Sequence, residues 1–484
     1  MRQSRQWQRP TRSGRPVATM RTSPHKQPPV YCSMPHPPRR FHPFAGRKAR
    51  TGVRPRPSVA AGLGALRRAG YPQAMQLSLR FLIAVVLLCA ATLAPARAQN
   101  LTAGFRNFLE ADIWPAARAR GVPRPVFDAA FKGVSPNLKL PDLQLPGAKA
   151  AVAETNFQAE FKSGAAYLSE GAVAGNARQG RALIAKYRAV LDRIEARYGV
   201  PAPIIVAIWG RESAFGAAKI PHDAFEVLGT KAYLSRRKAM FREELLAALQ
   251  IVADGHLKTL EMKSSWAGAL GQPQFMPSKF LALAVDFDGD GRKDIWNSVP
   301  DTLASIAHYL QQAGWQPGRD WGFEARVPAA VSCANEGPDL GRPISEFVAA
   351  GVTRVSGRPF PGHELAARGH LLMPAGRFGP AFIATPNFYV IKAYNNSDLY
   401  ALFVGHVADR MQGAGPLAGD WKATDRLTRG DVARMQQKLE ARGYDVGGAD
   451  GLAGFKTRRS IGAFQLKSGM GETCWPTRAL AGAL

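Results

Sequence analysis

An acidic residue inside an otherwise apolar helical run is the feature that most constrains this chain. The segment YGVPAPIIVAIWGRESAFG, residues 198–216, carries prolines where a first helical turn accepts them, and apolar side chains recur at Ile205, Ile208 and Trp209. Continuing this spacing places Glu212 on the same core-facing side. A carboxyl group there must pair with a cation or keep its proton, because a buried lone charge is costly. The run therefore predicts either a structural ion pair with arginine or a chemically active acid.

The first 98 residues have the composition of segments that precede a folded protein. Residues 1–74 are rich in Pro, Arg and Ser without periodicity, which predicts disorder. Residues 75–98 combine an arginine, a short apolar run and an A-x-A pattern ending at Ala98, which is typical of a cleaved secretory signal peptide. We therefore expect Met75 to be the true start, residues 1–74 to come from an over-extended reading frame, and the product to be periplasmic.

Basic residues are concentrated in that same N-terminal part. The 484-residue chain has 64 Lys and Arg against 36 Asp and Glu, a net charge of +28. Residues 1–98 hold 18 of the basic residues and no acidic ones, so the remaining chain carries +10. Because a nucleic-acid interface needs its basic surface on the folded part, this distribution argues against nucleic acid as a partner.

Two cysteines, Cys333 and Cys474, remain after the predicted signal peptide. Export leads to an oxidising compartment, where a disulfide can form and persist. The pair is therefore a disulfide candidate that would tie the main body to the C-terminal tail. Two free buried thiols are the alternative.

Helical periodicity dominates beyond residue 99 and predicts a mainly α fold of the α+β class. Further helices are expected at about 238–254, from an N-cap at Asp301 to Gly314, and from near Ser397 to Gly413. The apolar stripe that leads into the segment of Glu212 consists of Leu183, Tyr187, Val190, Leu191, Ile194 and Tyr198.

The remaining chain divides by composition into smaller parts. Glycines and prolines punctuate the stretch from 315 to 392, where PAFIAT and FYVIKAY have strand-like composition and predict a small mixed subdomain. The main body is thus expected at 99–412, a linker at 413–425 and a compact unit at 426–484. That unit is small for an independent core, so a disulfide or a docking contact would help it. Its two helices are predicted from Val432, Met435 and Leu439, and from Ile461, Phe464 and Leu466.

Two segments have the residue types of a sugar-binding groove. Residues 264–278, SSWAGALGQPQFMPS, mix small residues with aromatic and amide side chains, which can stack on rings and bond hydroxyls. An irregular packed loop is the alternative. In NFYVIKAYNNSDLYAL, residues 387–402, Tyr394 and Asn395 precede a capped helix, as an exposed turn would place them.

Residues 285–301, VDFDGDGRKDIWNSVPD, match the opening of a calcium loop. Acidic residues alternate and a glycine follows, and further acids come later in the segment. Asn297 stands at the twelfth position, where a bidentate Glu is expected, so weak binding is predicted. An Asp/Gly turn without metal is the alternative. The candidate ligands are Asp286, Asp288, Asp290, Asp294 and Asp301.

Together these segments resemble the lytic murein transglycosylase B family of bacterial cell-wall enzymes, related to glycoside hydrolase family 103. The resemblance covers nearly all of residues 101–415. VPAPIIVAIWGRESAFG is similar to the catalytic helix, and SWAGALGQPQFMPS, GDGRKDIWNSVPDTLASIAHYL and AYNNSDLYAL are similar to the next three motifs. The last 60 residues resemble a peptidoglycan-binding domain through GYDVGGADGLAGFKTRRSIGAFQ.

This resemblance implies a lysozyme-like helical fold that acts on peptidoglycan glycan strands. It implies that Glu212 is the sole catalytic acid, that Ser265 and Gln274 line the groove, and that Tyr394 and Asn395 contact a sugar N-acetyl group. No cofactor is required, and a bound calcium would be structural. The segment TCWP, which contains Cys474, departs from the binding-domain pattern.

A single acid suffices for the reaction that the resemblance implies. Hydrolytic glycosidases use two carboxyl groups. In a lytic transglycosylase the muramic acid 6-hydroxyl attacks instead of water, so one glutamic acid gives and later takes a proton. The alternatives are a water-using muramidase and an inactive wall-binding protein. Partners beyond the wall, such as cell-wall synthesis or secretion complexes, stay open.

Overall fold

A computed structural model describes residues 101–146 and 163–484. The predicted disordered segment 1–74 and signal peptide 75–98 lie outside these described residues. Within the described ranges, no helix is both long and apolar enough to cross a membrane. The described chain is mainly helical with a small antiparallel sheet, which confirms the predicted α+β class.

The helix Ala202–Ser213, called the glutamate helix below, lies in the largest helical core. It begins as predicted, with Pro201 as N-cap residue and Pro203 in its first turn. Ten of its twelve residues are buried, and a helix buried on nearly all sides needs packing partners all round. Those partners are the helices Glu170–Lys186, Arg188–Tyr198, Val299–Gln312 and Asp398–Met411.

A second helical core contains the N-terminal part of the described chain. Aromatic rings dominate it, and Phe127 and Phe131 meet edge to face with their centroids 4.9 Å apart. A short ribbon of β1 (His222–Asp223) and β2 (Lys263–Ser264) leads into the groove segment. The helices of this core are Trp114–Ala119, Arg124–Phe131, Ala224–Leu234, Lys238–Ala253 and Pro277–Leu283.

The mixed subdomain predicted between residues 315 and 392 contains a five-stranded antiparallel sheet. Its strands are β3 (Gly322–Arg326), β4 (Arg342–Pro343), β5 (Thr353–Arg354), β6 (Arg368–Leu372) and β8 (Ala381–Ala384). They lie in the order β4-β6-β8-β3-β5, and a further strand, β7 (Pro374–Arg377), lies outside this order. Leu371 in β6 lies opposite Ile383 in β8, and both are fully buried.

Of the two segments with strand-like composition, one is a strand and the other a helix. PAFIAT forms β8 as predicted, but the prediction for FYVIKAY is wrong because it lies in the helix Pro386–Asn395. The Thr385 side chain caps this helix by accepting the Asn387 N–H, and Pro386 fits its first turn. Phe388 and Ile391, three residues apart, then bury one helical face. Local capping thus outweighs β-type composition.

Three further local predictions were wrong. The apolar stripe before the glutamate helix breaks at Tyr187 into two helices rather than continuing as one. The helix Val299–Gln312 is capped by Ser298, because the carboxylate of Asp301 is turned toward loop amides instead. Leu466 is 55% exposed, so it does not belong to the core of the C-terminal unit.

The C-terminal unit, residues 426–484, is called the C-terminal module below. Thr428 and Asp431 form a reciprocal capping box at its first helix. Its own core is small and is centred on Leu439, Ile461 and Leu480, all fully buried. Its helices are Arg429–Glu440, Phe455–Lys467 and Arg478–Ala483.

The segment 413–425, predicted as a linker, contains no helix or strand but lies against the main body. The Glu324 carboxylate accepts the N–H of Ala418 at 3.0 Å and of Gly419 at 2.7 Å. The Trp421 ring packs against the largest helical core. The remaining short elements are the π-helix Leu109–Ile113, the helices Gly164–Tyr167, Ile344–Ala349 and Gly362–Leu365, and the 3-10 turns Thr259–Glu261 and Cys333–Asn335.

Candidate active site

Glu212 is buried at the end of the glutamate helix, with 4% of its surface exposed. The Tyr400 hydroxyl donates a hydrogen bond of 2.6 Å to its Oε1. Burial, followed by the charge of Glu212, raises the pKa of Tyr400 well above its ordinary value of 10.0. Tyr400 therefore stays protonated and acts as a donor to the carboxylate.

The chain turns sharply after Glu212. Ala214, Phe215 and Gly216 all have positive φ, and the Ser213 hydroxyl accepts the Gly216 N–H at 3.0 Å. At Gly216, where φ is +81°, an added Cβ would lie 2.5 Å from Oε1 of Gln272, so only glycine fits this approach. The helix thus stops one residue beyond the acid, which lies at a helix end rather than in a continuous core.

The adjacent arginine is engaged elsewhere. The guanidinium carbon of Arg211 lies 4.4 Å from the ring centroid of Tyr167 and 5.0 Å from that of Phe403. This cation–π arrangement directs its charge onto aromatic faces. One hydrogen-bond partner of the Glu212 carboxylate is the neutral phenol of Tyr400. This contact favours a chemically active acid over a structural ion pair between Glu212 and Arg211.

A group of aromatic rings surrounds the acid. The ring centroids of Tyr309 and Tyr394 are 4.7 Å apart, and the Tyr394 ring stacks on Tyr400 at 6.2 Å. Burial, followed by the charge of Glu212, raises the pKa of Tyr309 to about 12. These phenols therefore stay neutral. Tyr400 is fully buried, whereas Tyr309 and Tyr394 are half-buried and have apolar faces of the kind on which sugar rings stack.

A groove opens beside the end of the glutamate helix. Its cavity measures about 560 Å³ and is lined by Ser213, Gly216 and Trp296, with Leu260, 81% exposed, at its edge. Gln272 fixes the wall, because its side-chain oxygen accepts the Trp209 Nε1–H at 2.7 Å and its amide nitrogen donates to the Trp296 carbonyl at 2.9 Å. Ser213, the residue after Glu212, lines this cavity, so the end of the glutamate helix forms part of the groove wall.

The chain matches two family models. The model for the transglycosylase SLT domain matches residues 104–409, and one for a peptidoglycan binding domain matches residues 428–484. The first alone covers more than half of the chain. The chain belongs to the SLT transglycosylase family. Members of this family are peptidoglycan-cleaving lyases.

Relatives agree with this assignment. Membrane-bound lytic murein transglycosylase B of Escherichia coli K12 is 34% identical over 236 residues, which span 47% of this chain and 62% of that protein. The structure of SltB3 from Pseudomonas aeruginosa in complex with NAG-anhNAM-pentapeptide is 38% identical, with a TM-score of 0.68 over 78% of this chain and 98% of that one. SltB1 from the same species is 29% identical, with a TM-score of 0.51 over 65% of this chain.

Three of the four predicted groove residues lie at the aromatic group: Tyr394 belongs to it, and Gln274 and Asn395 are close to it. The Tyr394 hydroxyl donates to the Pro273 carbonyl at 2.8 Å, which joins its helix to the segment of Gln274. Gln274 adopts φ 55° and donates its side-chain N–H to the Gly271 carbonyl at 2.9 Å. Asn395, the last residue of the helix Pro386–Asn395, is buried beside this junction.

Ser265 occupies a different place in the same segment. Its backbone N–H donates to the Ala269 carbonyl at 2.8 Å, and its hydroxyl accepts the Ala269 N–H at 3.2 Å. It is 3% exposed. These bonds fold the start of the groove segment, and a contact between Ser265 and substrate stays a prediction.

Two residues of this SLT site, Tyr400 and Tyr309, were not predicted as functional from the sequence, and Gln272 was predicted only as one amide of the groove segment. Tyr400 lies three residues after the N-cap Ser397, so only the helix start could be predicted, not the contact with Glu212. Tyr309 is one aromatic residue among many, and the role of Gln272 depends on two distant partners.

The acidic loop brings three of its five candidate ligands together. Carboxylate oxygens of Asp286, Asp288 and Asp290 lie within 4.8 Å of one another. Asp301 is fully buried and accepts the N–H groups of Phe287 and Asp294, each at 2.8 Å. Asp294 likewise accepts backbone N–H groups of its own turn. The last two acids therefore organise the loop, while the first three have the oxygen chemistry that suits calcium.

Cys333 and Cys474 are joined by a disulfide. Both are fully buried in the core of the sheet subdomain. The bond connects the 3-10 turn Cys333–Asn335 to the last part of the C-terminal module, so the two units of this SLT transglycosylase are covalently linked.

Proposed function

We propose that this chain is a lytic transglycosylase that cleaves the β-1,4 bond between N-acetylmuramic acid and N-acetylglucosamine in peptidoglycan. The product end is a 1,6-anhydro ring, and the role is turnover or remodelling of the cell wall. The observation that carries this proposal is one buried carboxyl group, Glu212, held by a neutral hydroxyl at a helix end beside a groove. A relative 38% identical has been solved with an anhydro-muramic acid ligand, which supports the same product.

In the first step Glu212, protonated, donates its proton to the glycosidic oxygen and the bond to the muramic acid C1 breaks. Tyr400 holds the carboxyl through a hydrogen bond from its hydroxyl to Oε1. The substrate acetamido group stabilises the positive centre at C1, with Asn395 holding that group. The charge on the substrate is thus met without a second enzymic carboxylate.

In the second step the ionised Glu212 takes the proton of the muramic acid 6-hydroxyl, whose oxygen closes the ring on C1. The hydrogen bond from Tyr400 stabilises the carboxylate between the steps. Because the nucleophile belongs to the substrate, it is already close to the reacting carbon. One residue therefore serves as acid and then as base.

Product analysis on purified murein tests the proposal. Digestion should leave ends lighter by the mass of one water (about 18 Da) than hydrolysed ends. E212Q should lose activity by at least about 100-fold, since the proton donor is gone. Hydrated ends alone would overturn the proposal in favour of a water-using muramidase, and full activity of E212Q would overturn the role of Glu212.

Glu261 offers a control for the hydrolytic alternative. It lies at the edge of the groove, exposed, on the 3-10 turn Thr259–Glu261. A hydrolase needs a second carboxylate, and Glu261 is one the groove could supply. We expect E261Q to keep the activity of the parent and to give anhydro ends, whereas inactivity of E261Q would favour hydrolysis.

We also propose that the chain works in the periplasm after cleavage of a signal peptide near Ala98. The disulfide between Cys333 and Cys474 supports this, because such bonds persist in oxidising compartments. Cell fractionation with N-terminal sequencing of the purified protein tests it. A mature N-terminus upstream of Met75, or recovery from the cytoplasm, would contradict it.

A calcium ion held by Asp286, Asp288 and Asp290 is a further part of the proposal. The donors are hard oxygens held close together by the chain, and bound calcium would neutralise their mutual repulsion. Ca²⁺ should raise the melting temperature relative to chelator, and Mg²⁺ should do so less. D288N should abolish the gain, and D192N, at an exposed position outside the loop, should keep it. No shift with Ca²⁺ would overturn the site.

A further inference from the structure

A buried arginine of the C-terminal module reaches into the main body. Arg458, 3% exposed, donates from Nε to Oε1 of Glu336 at 2.6 Å and from Nη2 to Oδ2 of Asp398 at 3.1 Å. Glu336 is fully buried and its Oε2 also accepts the Met373 N–H at 3.0 Å. The guanidinium therefore bridges two carboxylates of a different unit.

Asp398 is the carboxylate of this cluster that lies next to the active site. It is the first residue of the helix Asp398–Met411, which carries Tyr400 one half-turn later. Its Oδ1 also lies 2.7 Å from Lys392 Nζ, on the helix that ends at Asn395. Burial acts to raise the pKa of Asp398, but Lys392 and Arg458 outweigh it and lower that pKa to about 2. Asp398 is thus charged and held from both sides.

The turn between these two helices lies between Asn395, which ends the first helix, and Tyr400, which lies in the first turn of the second. Asn396 lies in the turn with φ 50°, a conformation that costs a non-glycine residue free energy and needs support from its surroundings. Asp398, two residues after Asn396, is held by Lys392 on one side and by Arg458 on the other. Asn395 directly precedes this turn, and Tyr400 follows its last residue, Ser397, by three residues.

We infer that Arg458 of the C-terminal module is a positioning residue for the catalytic site, acting through Asp398 on Asn395 and Tyr400. The module is then a working part of the catalytic unit as well as a wall-binding domain. This inference rests on the proposed function. It differs from simple docking, because a docking contact would hold the module without affecting turnover of a short soluble substrate.

The test compares D398N with D339N on a soluble NAG–NAM tetrasaccharide, which needs no attachment to the wall. D398N breaks the link to the turn but leaves Arg458 paired with Glu336. D339N breaks a different ion pair between module and body, in which Asp339, 57% exposed, bonds Arg459. We expect kcat of D398N to fall about tenfold with KM within twofold, and D339N to match the parent.

R458K and a double variant separate positioning from stability. Lysine keeps the charge but cannot reach both carboxylates, so R458K should be slower than the parent and faster than D398N. D398N/R458K should be no slower than D398N, because both changes act on one link. Rates are measured well below each melting temperature. If D398N folds, equal kcat values for D398N and D339N would overturn the inference. If D398N fails to fold, equal kcat values for R458K and the parent would overturn it. An inactive parent would instead overturn the proposed function.

Discussion

Tyr400 and Glu212 are 188 residues apart in the chain, yet their side chains are joined by a buried hydrogen bond of 2.6 Å. A bond to an ionised group contributes about 1.5–3 kcal/mol. We expect Y400F to lower kcat by about tenfold to a hundredfold, because the carboxylate between the two steps loses its donor. The measurement is kcat on soluble glycan, with circular dichroism to verify the fold.

The pH dependence of Y400F gives a second readout. The lost hydrogen bond favoured the ionised carboxylate of Glu212, so its loss favours the protonated acid. Because the first step uses the protonated form, the alkaline limb of kcat/KM should move to higher pH in Y400F. A limb that stays in place, with kcat unchanged, would contradict a direct role of Tyr400.

Substitution of Gly216 should affect both fold and activity. G216A places a side chain at φ +81° and brings its Cβ to 2.5 Å from Gln272, which must then release Trp209 or Trp296. G255A is the matched control, since Gly255 has the same φ and open space around it. Each should lose about 1–2 kcal/mol of unfolding free energy from the backbone. Only G216A should also lose about tenfold in kcat/KM, and equal activity of the two would contradict this reading of the groove wall.

Loss of the disulfide should destabilise the whole chain. Cys333 and Cys474 are 141 residues apart, and crosslinks that close long loops reduce the entropy of the unfolded chain most. We expect C333S/C474S to lose about 3–5 kcal/mol of unfolding free energy in denaturant titration. Reductant should lower the stability of the parent and leave the variant unchanged. A parent that is insensitive to reductant would count against the bond.

Stability should fall as the pH rises toward neutrality, in part because of Asp409. Burial raises the pKa of Asp409 from 3.8 to about 7, and the Trp321 Nε1–H, 3.1 Å away, offsets only part of this. Between about pH 4 and pH 7 the folded chain holds a proton that the unfolded chain has released, so stability declines through that window. The melting temperature of D409N should decline less than that of the parent between these values. Parallel curves would contradict the assignment.

Local rules predicted much of the fold. The prolines before the glutamate helix and Ser397 before the helix of Tyr400 are helix-start signals that act within a few residues. The alternating acids from Asp286 to Asp290 also form a local pattern, and the structure brings them together. The burial of Glu212 followed from its place on an apolar stripe. In each case the cause lies within one turn or loop.

What sequence could not predict depends on contacts between distant segments. The partner of Glu212 and the two bonds of Gln272 involve residues far away in the chain, and no periodicity encodes them. An aspartate at position 301 suits a helix N-cap or a metal ligand, but its buried carboxylate accepts hydrogen bonds from backbone N–H groups of the preceding loop. FYVIKAY consists largely of residues that favour β-strands, but the capping residue before it and the burial of one helical face stabilise a helix instead. These outcomes are set by tertiary structure rather than by propensity.

The disulfide closes residues 333–474 into a covalent ring. From Cys333 the backbone passes through the helix of Tyr400, the segment 413–425 and the C-terminal module before it returns at Cys474. A protease that nicks the ring within 413–425 would open it without releasing either piece, so the fragments should separate on a gel only after reduction. A cut within 413–425 would therefore leave the C-terminal module covalently attached to the part of the chain that carries Glu212.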